Sequence, residues 1–110
     1  MTDSQAAEAR SRIVDAAQAL LDGKLDALKA AAAINEWRFA LDPEQEDADL
    51  LAFVGIESQV DELLVTDSLK EWPPEIQRQK DAQYAEAERV FRPGAVVSAR
   101  ALIARYGRPA

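Results

Sequence analysis

The chain contains no cysteine and no histidine. Without cysteine there are no disulfides, no thiolate nucleophiles and no thiolate zinc ligands. Without histidine it lacks the commonest general base near neutral pH and the commonest transition-metal ligand. Glycine and proline are sparse, four and five among 110 residues, and aromatics make up 6%. β-Branched residues are thin outside the middle and the C-terminal part, which disfavours sheet. No run approaches the roughly 20 apolar residues that span a bilayer. The opening Met1-Thr2-Asp3-Ser4-Gln5 lacks the basic-then-apolar order of a signal peptide. These absences exclude much of enzyme chemistry. They point to a cytoplasmic, non-enzymatic protein with no cofactor, no metal and no membrane association.

What is present is alanine, 22 residues of it, within a hydrophobic content of 48%. Alanine is the best helix former, and its small side chain lets helices approach closely. The length suits one domain, residues 1–110, around one modest core. Net charge is −7 and unevenly spread. Residues 42–67 hold nine acids and no base, whereas residues 89–110 hold five arginines and no acid. Such a division is either a solvated polar surface or a pair of complementary patches.

Along the chain, Thr2-x-x-Gln5 offers a capping box. Behind it Ala9, Ile13, Ala16, Ala17 and Leu20 fall at helical spacing, predicting a first helix over about 5–22 that stops at Gly23. A second is predicted over about 24–41, apolar around most of its circumference, with Leu28, Phe39, Ile34 and Trp37 among its inward residues. The short Asp22-Gly23 link makes the two an antiparallel hairpin. Asp42-Pro43 ends the second helix, because the residue before proline is pushed out of the α region. Leu50, Phe53, Ile56, Val60, Leu63 and Leu64 predict a third helix, with Asp47 or Asp49 as its cap; a short strand over Phe53–Ile56, around Gly55, is the less favoured alternative. Residues 66–72 read as a loop. A fourth helix over about 74–92 carries Ile76, Tyr84, Ala87 and Phe91 on one narrow stripe, which suits a dimer seam or the edge of a monomer. Pro93-Gly94 is expected to break it, leaving a fifth helix over about 95–106. The fold expected is all-α, a single-domain bundle of about five helices.

No phosphate loop, nucleophile elbow or metalloprotease motif is present. The acidic run 42–49 fails the calcium-loop pattern: Asp47 stands where a glycine is needed, and Phe53 where the bidentate glutamate belongs. Glu57 and Asp61, four apart, share a helix face and with Glu62 form the best case for a carboxylate metal site or acid–base pair. The arginines lie on no common stripe, with Arg100 and Arg105 about 140° apart around a helix. With the chain acidic overall, no nucleic-acid binding is expected. Trp72, in a proline-rich stretch, is either a cover for the core or an exposed anchor. Asn35, beside the apolar face of the second helix, reads as a buried amide bonded to a loop.

The stretch Phe53-Val54-Gly55-Ile56-Glu57-Ser58, with Asp61 and then Trp72-Pro73-Pro74-Glu75, resembles a group of small bacterial proteins of no established activity. Those have a leucine-rich helical hairpin, a Phe-Val-x-Ile-Asp-Ser-Glu segment, and a tryptophan before a charged helix. The resemblance spans about residues 13–106 and implies a helical fold. This chain departs by placing Glu57 for the aspartate and Gln59 for the glutamate, with no His-Leu-Pro after Asp61. The residues together suggest a protein–protein interaction module that shows Asp47, Asp49, Glu57, Asp61, Glu62 and Trp72 to a basic partner protein. A homodimer is compatible with the same pattern. The alternatives are an immunity or antitoxin-like inhibitor of a basic toxin, and a carboxylate-based divalent-metal binder or enzyme.

Overall fold

The computed structural model describes residues 3–60 and 73–107. Among them the chain is all-helical, with four helices and no strand: α1 (Asp3–Leu21), α2 (Ala27–Leu41), α3 (Ala48–Val60) and α4 (Pro74–Tyr106). Thr2, the 61–72 stretch with Asp61, Glu62, Leu63, Leu64 and Trp72, and Arg108 lie outside the described residues. No helix among the described residues is long and apolar enough to cross a membrane.

The core is built at the spacing the sequence shows. Ile13, Ala17 and Leu20 of α1 meet Leu28, Ala31 and Ile34 of α2, Leu50, Phe53 and Ile56 of α3, and Ala95, Ala99 and Leu102 of α4. Alanine supplies the close approaches, and Phe53 is the largest fully buried side chain among the described residues. Gly23, at φ 77, turns the chain out of α1, with the Lys24 N–H reaching back to the Ala19 carbonyl at 2.8 Å. α2 then packs back along α1, and the Arg12 guanidinium lies 5.7 Å from the Trp37 ring centre. Trp37 is half-buried against the core. Phe39, expected inward, is instead largely exposed, and the Arg38 guanidinium covers its ring at 3.8 Å. Residues 53–56 are helical, which settles the helix-or-strand alternative.

The expected break at Pro93-Gly94 does not occur. The fourth and fifth helices are one helix of 33 residues with Pro93 inside it. Proline removes one helical hydrogen bond, the one that would end on the Arg89 carbonyl, and its ring crowds that carbonyl. Pro93 and Arg89 both lie on the exposed side, where water can take the freed carbonyl. Meanwhile Tyr84, Ala87 and Phe91 before the proline continue in phase with Ala95, Ala99 and Leu102 after it, so one apolar face runs through. Burial of that face outweighs the local penalty. At about 1.5 Å per residue α4 is close to 50 Å long, which accounts for the 50 Å long axis of the molecule.

Candidate functional site

The polar chemistry of the fold gathers where α4 meets the two helix connections. At the first connection Asp26 is the N-cap of α2, with Oδ1 accepting from the Lys29 N–H at 2.8 Å. Its Oδ2 accepts from the Tyr84 hydroxyl at 2.7 Å. One turn along α4, Glu88 accepts from the Ala27 N–H at 2.5 Å and from Arg92 at 2.8 Å. Another turn on, the Arg92 guanidinium also reaches the Leu20 carbonyl at 3.5 Å. Tyr84, Glu88 and Arg92 are thus spaced by four and share one face, which holds the α1–α2 turn.

The second connection repeats the arrangement. Asp42 ends α2 and folds its carboxylate forward onto the Glu46 and Asp47 N–H groups, at 3.0 and 2.9 Å. Asp47 caps α3 by accepting from the Asp49 and Leu50 N–H groups at 3.0 and 3.3 Å. Its other oxygen accepts from the Tyr106 hydroxyl at 2.7 Å and from Arg105 at 2.5 Å, while the second arm of Arg105 donates to Asp49. In both places an α4 tyrosine holds the aspartate that caps the next helix. Burial works against the Asp47 charge, but the bonds from Tyr106, the Leu50 N–H and Arg105 outweigh it and hold the carboxyl below its ordinary value. Burial first, then the bond to Asp47, pushes the Tyr106 phenol up to about 12. Burial and the bond to Asp26 push Tyr84 up likewise.

Gln45 sits in the left-handed region at φ 57, between the exposed Glu44 and Glu46. Its side-chain oxygen accepts from Arg38 at 3.4 Å. The acidic loop is therefore a folded rim: Asp42 and Asp47 organise its backbone, and Glu44 and Glu46 project from it.

Of the residues singled out from sequence, Asp47 and Asp49 are brought together by Arg105, with Asp47 the more deeply placed. Glu57 stands apart on α3, half-buried, accepting from the Asn35 side-chain amide at 3.2 Å. That amide also donates to the Phe53 carbonyl at 2.9 Å, so Asn35 ties α2 to α3 rather than to a loop, and its own carbonyl oxygen is buried without a partner among the described residues. Asp61, Glu62 and Trp72 lie outside the described residues. Among the described residues no three carboxylates are grouped to hold a metal ion. Sequence reasoning missed Asp26, Tyr84 and Glu88. The available signals were an aspartate just before an alanine-rich helix and the stride of four from Tyr84 to Arg92.

Between α3 and α4 the surface opens into a shallow groove of about 540 Å³, floored by Ala52, Gly55, Phe91, Gly94 and Ala95. Val90 and Val97 stand at its α4 edge, 55% and 66% exposed. Comparison with family models, with curated proteins and with solved structures finds no match for this chain.

Proposed function

We propose that the protein is a cytoplasmic interaction module, without catalytic activity, that presents the acidic rim between α2 and α3 to a basic partner protein. The observation that carries this reading is the left-handed backbone of Gln45 between two exposed glutamates. A non-glycine residue in that conformation costs about 1–3 kcal/mol and persists only where its surroundings over-determine it. Such strain concentrates at functional loops. Asp42 and Asp47 supply the over-determination here by accepting from the backbone N–H groups of Glu46, Asp47, Asp49 and Leu50. Among the described residues Arg105 is the one base that ion-pairs with the rim's aspartates, and Glu44 and Glu46 keep their charge for an outside partner. A preformed field of that sign speeds encounter with a basic surface and spends little on ordering.

The same geometry divides the acids by role. Asp47 and Asp49 hold the rim, and Glu44 and Glu46 face outward. The test uses two baits in parallel on lysate of the source cells, the wild type and the double reversal Glu44→Lys, Glu46→Lys. A basic protein captured by the first, released by salt and lost with the second supports the reading. Equal capture by both baits, or capture unmoved by salt, overturns it. If the captured protein is a toxic enzyme, the module is an inhibitor of that enzyme.

A further inference from the structure

Two glycines lie in helices where no described residue requires them. Gly55 of α3 and Gly94 of α4 both line the groove, neither has a positive φ, and a Cβ built on either would meet nothing within 4 Å. Glycine in a helix interior is weaker than alanine, and it is used where another backbone must come close. Beside Gly94, the outer face of α4 carries the exposed Gln83, Val90, Val97 and Ala104 with the half-buried Ala101, a stripe separate from the one that Tyr84, Ala87 and Phe91 turn to the core. Of the two uses open to the narrow stripe, it packs against the bundle itself, and a second seam runs next to it.

We propose that this seam and the groove beside it bind a second copy of the chain, α4 against α4 in antiparallel orientation about a twofold axis near Pro93. The residue pattern selects that occupant. In an antiparallel helix pair each inward residue packs opposite one from the other helix, and the flanking positions meet across the axis. About that axis Val90 of each copy falls within one turn of Gly94 of the other, so a large residue packs beside a glycine. The flanking positions are Glu86 and Arg100, equally spaced on either side of Pro93, so Glu86 of each copy faces Arg100 of the other. Both are exposed. Glu86 is oriented by Arg89 at 2.5 Å, and Arg100 has no ion-pair partner among the described residues. The contact is isologous, so the complementary pair is made twice. The parallel orientation would set Glu86 beside Glu86 and Arg100 beside Arg100. In the antiparallel form α4 of each copy also lies along Ala52, Gly55 and Gln59 of the other, which gives the exposed glycine of α3 the same purpose as that of α4.

The inference is independent of the acidic rim, which neither Gly94 nor Arg100 touches. The experiment is sedimentation equilibrium from micromolar concentration up to on the order of 1 mM. The wild-type mass is expected to rise with concentration from 12.1 kDa toward twice that value. Gly94→Lys should remain a monomer throughout while its helix content and thermal midpoint stay at or above those of the wild type, because a side chain there meets nothing in the single chain. Glu86→Arg and Arg100→Glu should each weaken dimerisation about tenfold or more, and the two together should restore it to within about threefold. A wild type that stays at 12.1 kDa throughout overturns the proposal. So does a dimer that Gly94→Lys leaves intact, or one whose charge variants show no restoration.

Discussion

At the scale of single residues, most polar side chains with several bonds serve backbone that has no partner of its own. Asp26 and Asp47 satisfy N–H groups at the starts of α2 and α3, and Asp42 satisfies two more in the loop. Loss of such a cap costs about 1 kcal/mol. Gln45 is the opposite case, since its φ of 57 is imposed on it by these neighbours. A left-handed backbone costs an L-residue roughly 1–2 kcal/mol that glycine does not incur, against which glycine loses more freedom on folding. Gln45→Gly is therefore expected to stabilise the chain by about 0.5–1 kcal/mol in urea unfolding, since the bond lost to Arg38 is long and exposed. A destabilised variant would mean that the side chain, and not the surrounding carboxylates, holds the rim in place.

At the scale of elements, α4 is where physical expectation and structure part. Periodicity made α1, α2 and the start of α3 legible, because Ile13, Leu20, Leu28, Ile34, Leu50 and Phe53 each recur on one face and are all buried. Pro93-Gly94 was misleading because local breaking is judged over a few residues, whereas the face that overrides it extends from Tyr84 to Leu102. The bonds from the α4 tyrosines to the capping aspartates were illegible for a related reason. Tyr84 meets Asp26 across 58 positions and Tyr106 meets Asp47 across 59, and no local period records such a pairing. Of the candidate site, Asp47 and Asp49 were legible by charge and as caps of α3, whereas which of the C-terminal arginines they share was not. If Pro93 is a tolerated defect in a continuous helix, Pro93→Ala should restore the missing bond and raise stability by about 1–2 kcal/mol, less than the full helix penalty because proline also stiffens the unfolded chain. Thermal unfolding with helix content checks this. An unchanged or lowered midpoint would show that the residue marks a true joint between two helices.

At the scale of the whole molecule, α4 acts as a strut that fastens both connections of the α1–α2–α3 unit through the same bond, a tyrosine hydroxyl on a capping aspartate. The two bonds lie 22 residues apart on α4, or about 33 Å, so they share no neighbours and their contributions should add. Their common chemistry ties stability to alkaline pH. A tyrosine whose pKa is raised in the folded state keeps its proton after the unfolded chain has lost its own. Its contribution is therefore complete below the ordinary value near 10 and is lost as pH rises through the folded value, about 12 for Tyr106. Ionised, the phenolate would face the Asp47 carboxylate without a proton to share. Tyr106→Phe should thus cost about 1 kcal/mol at neutral pH, the worth of one part-buried hydrogen bond. That deficit should shrink steadily above pH 10 and vanish or reverse near pH 12. Lysine deprotonation affects both proteins alike, so the difference between wild type and variant, followed by urea unfolding from pH 7 to 12, isolates the tyrosine. A deficit that stays constant over that range would mean that Tyr106 contributes packing alone and that the proton it donates to Asp47 does not hold the strut.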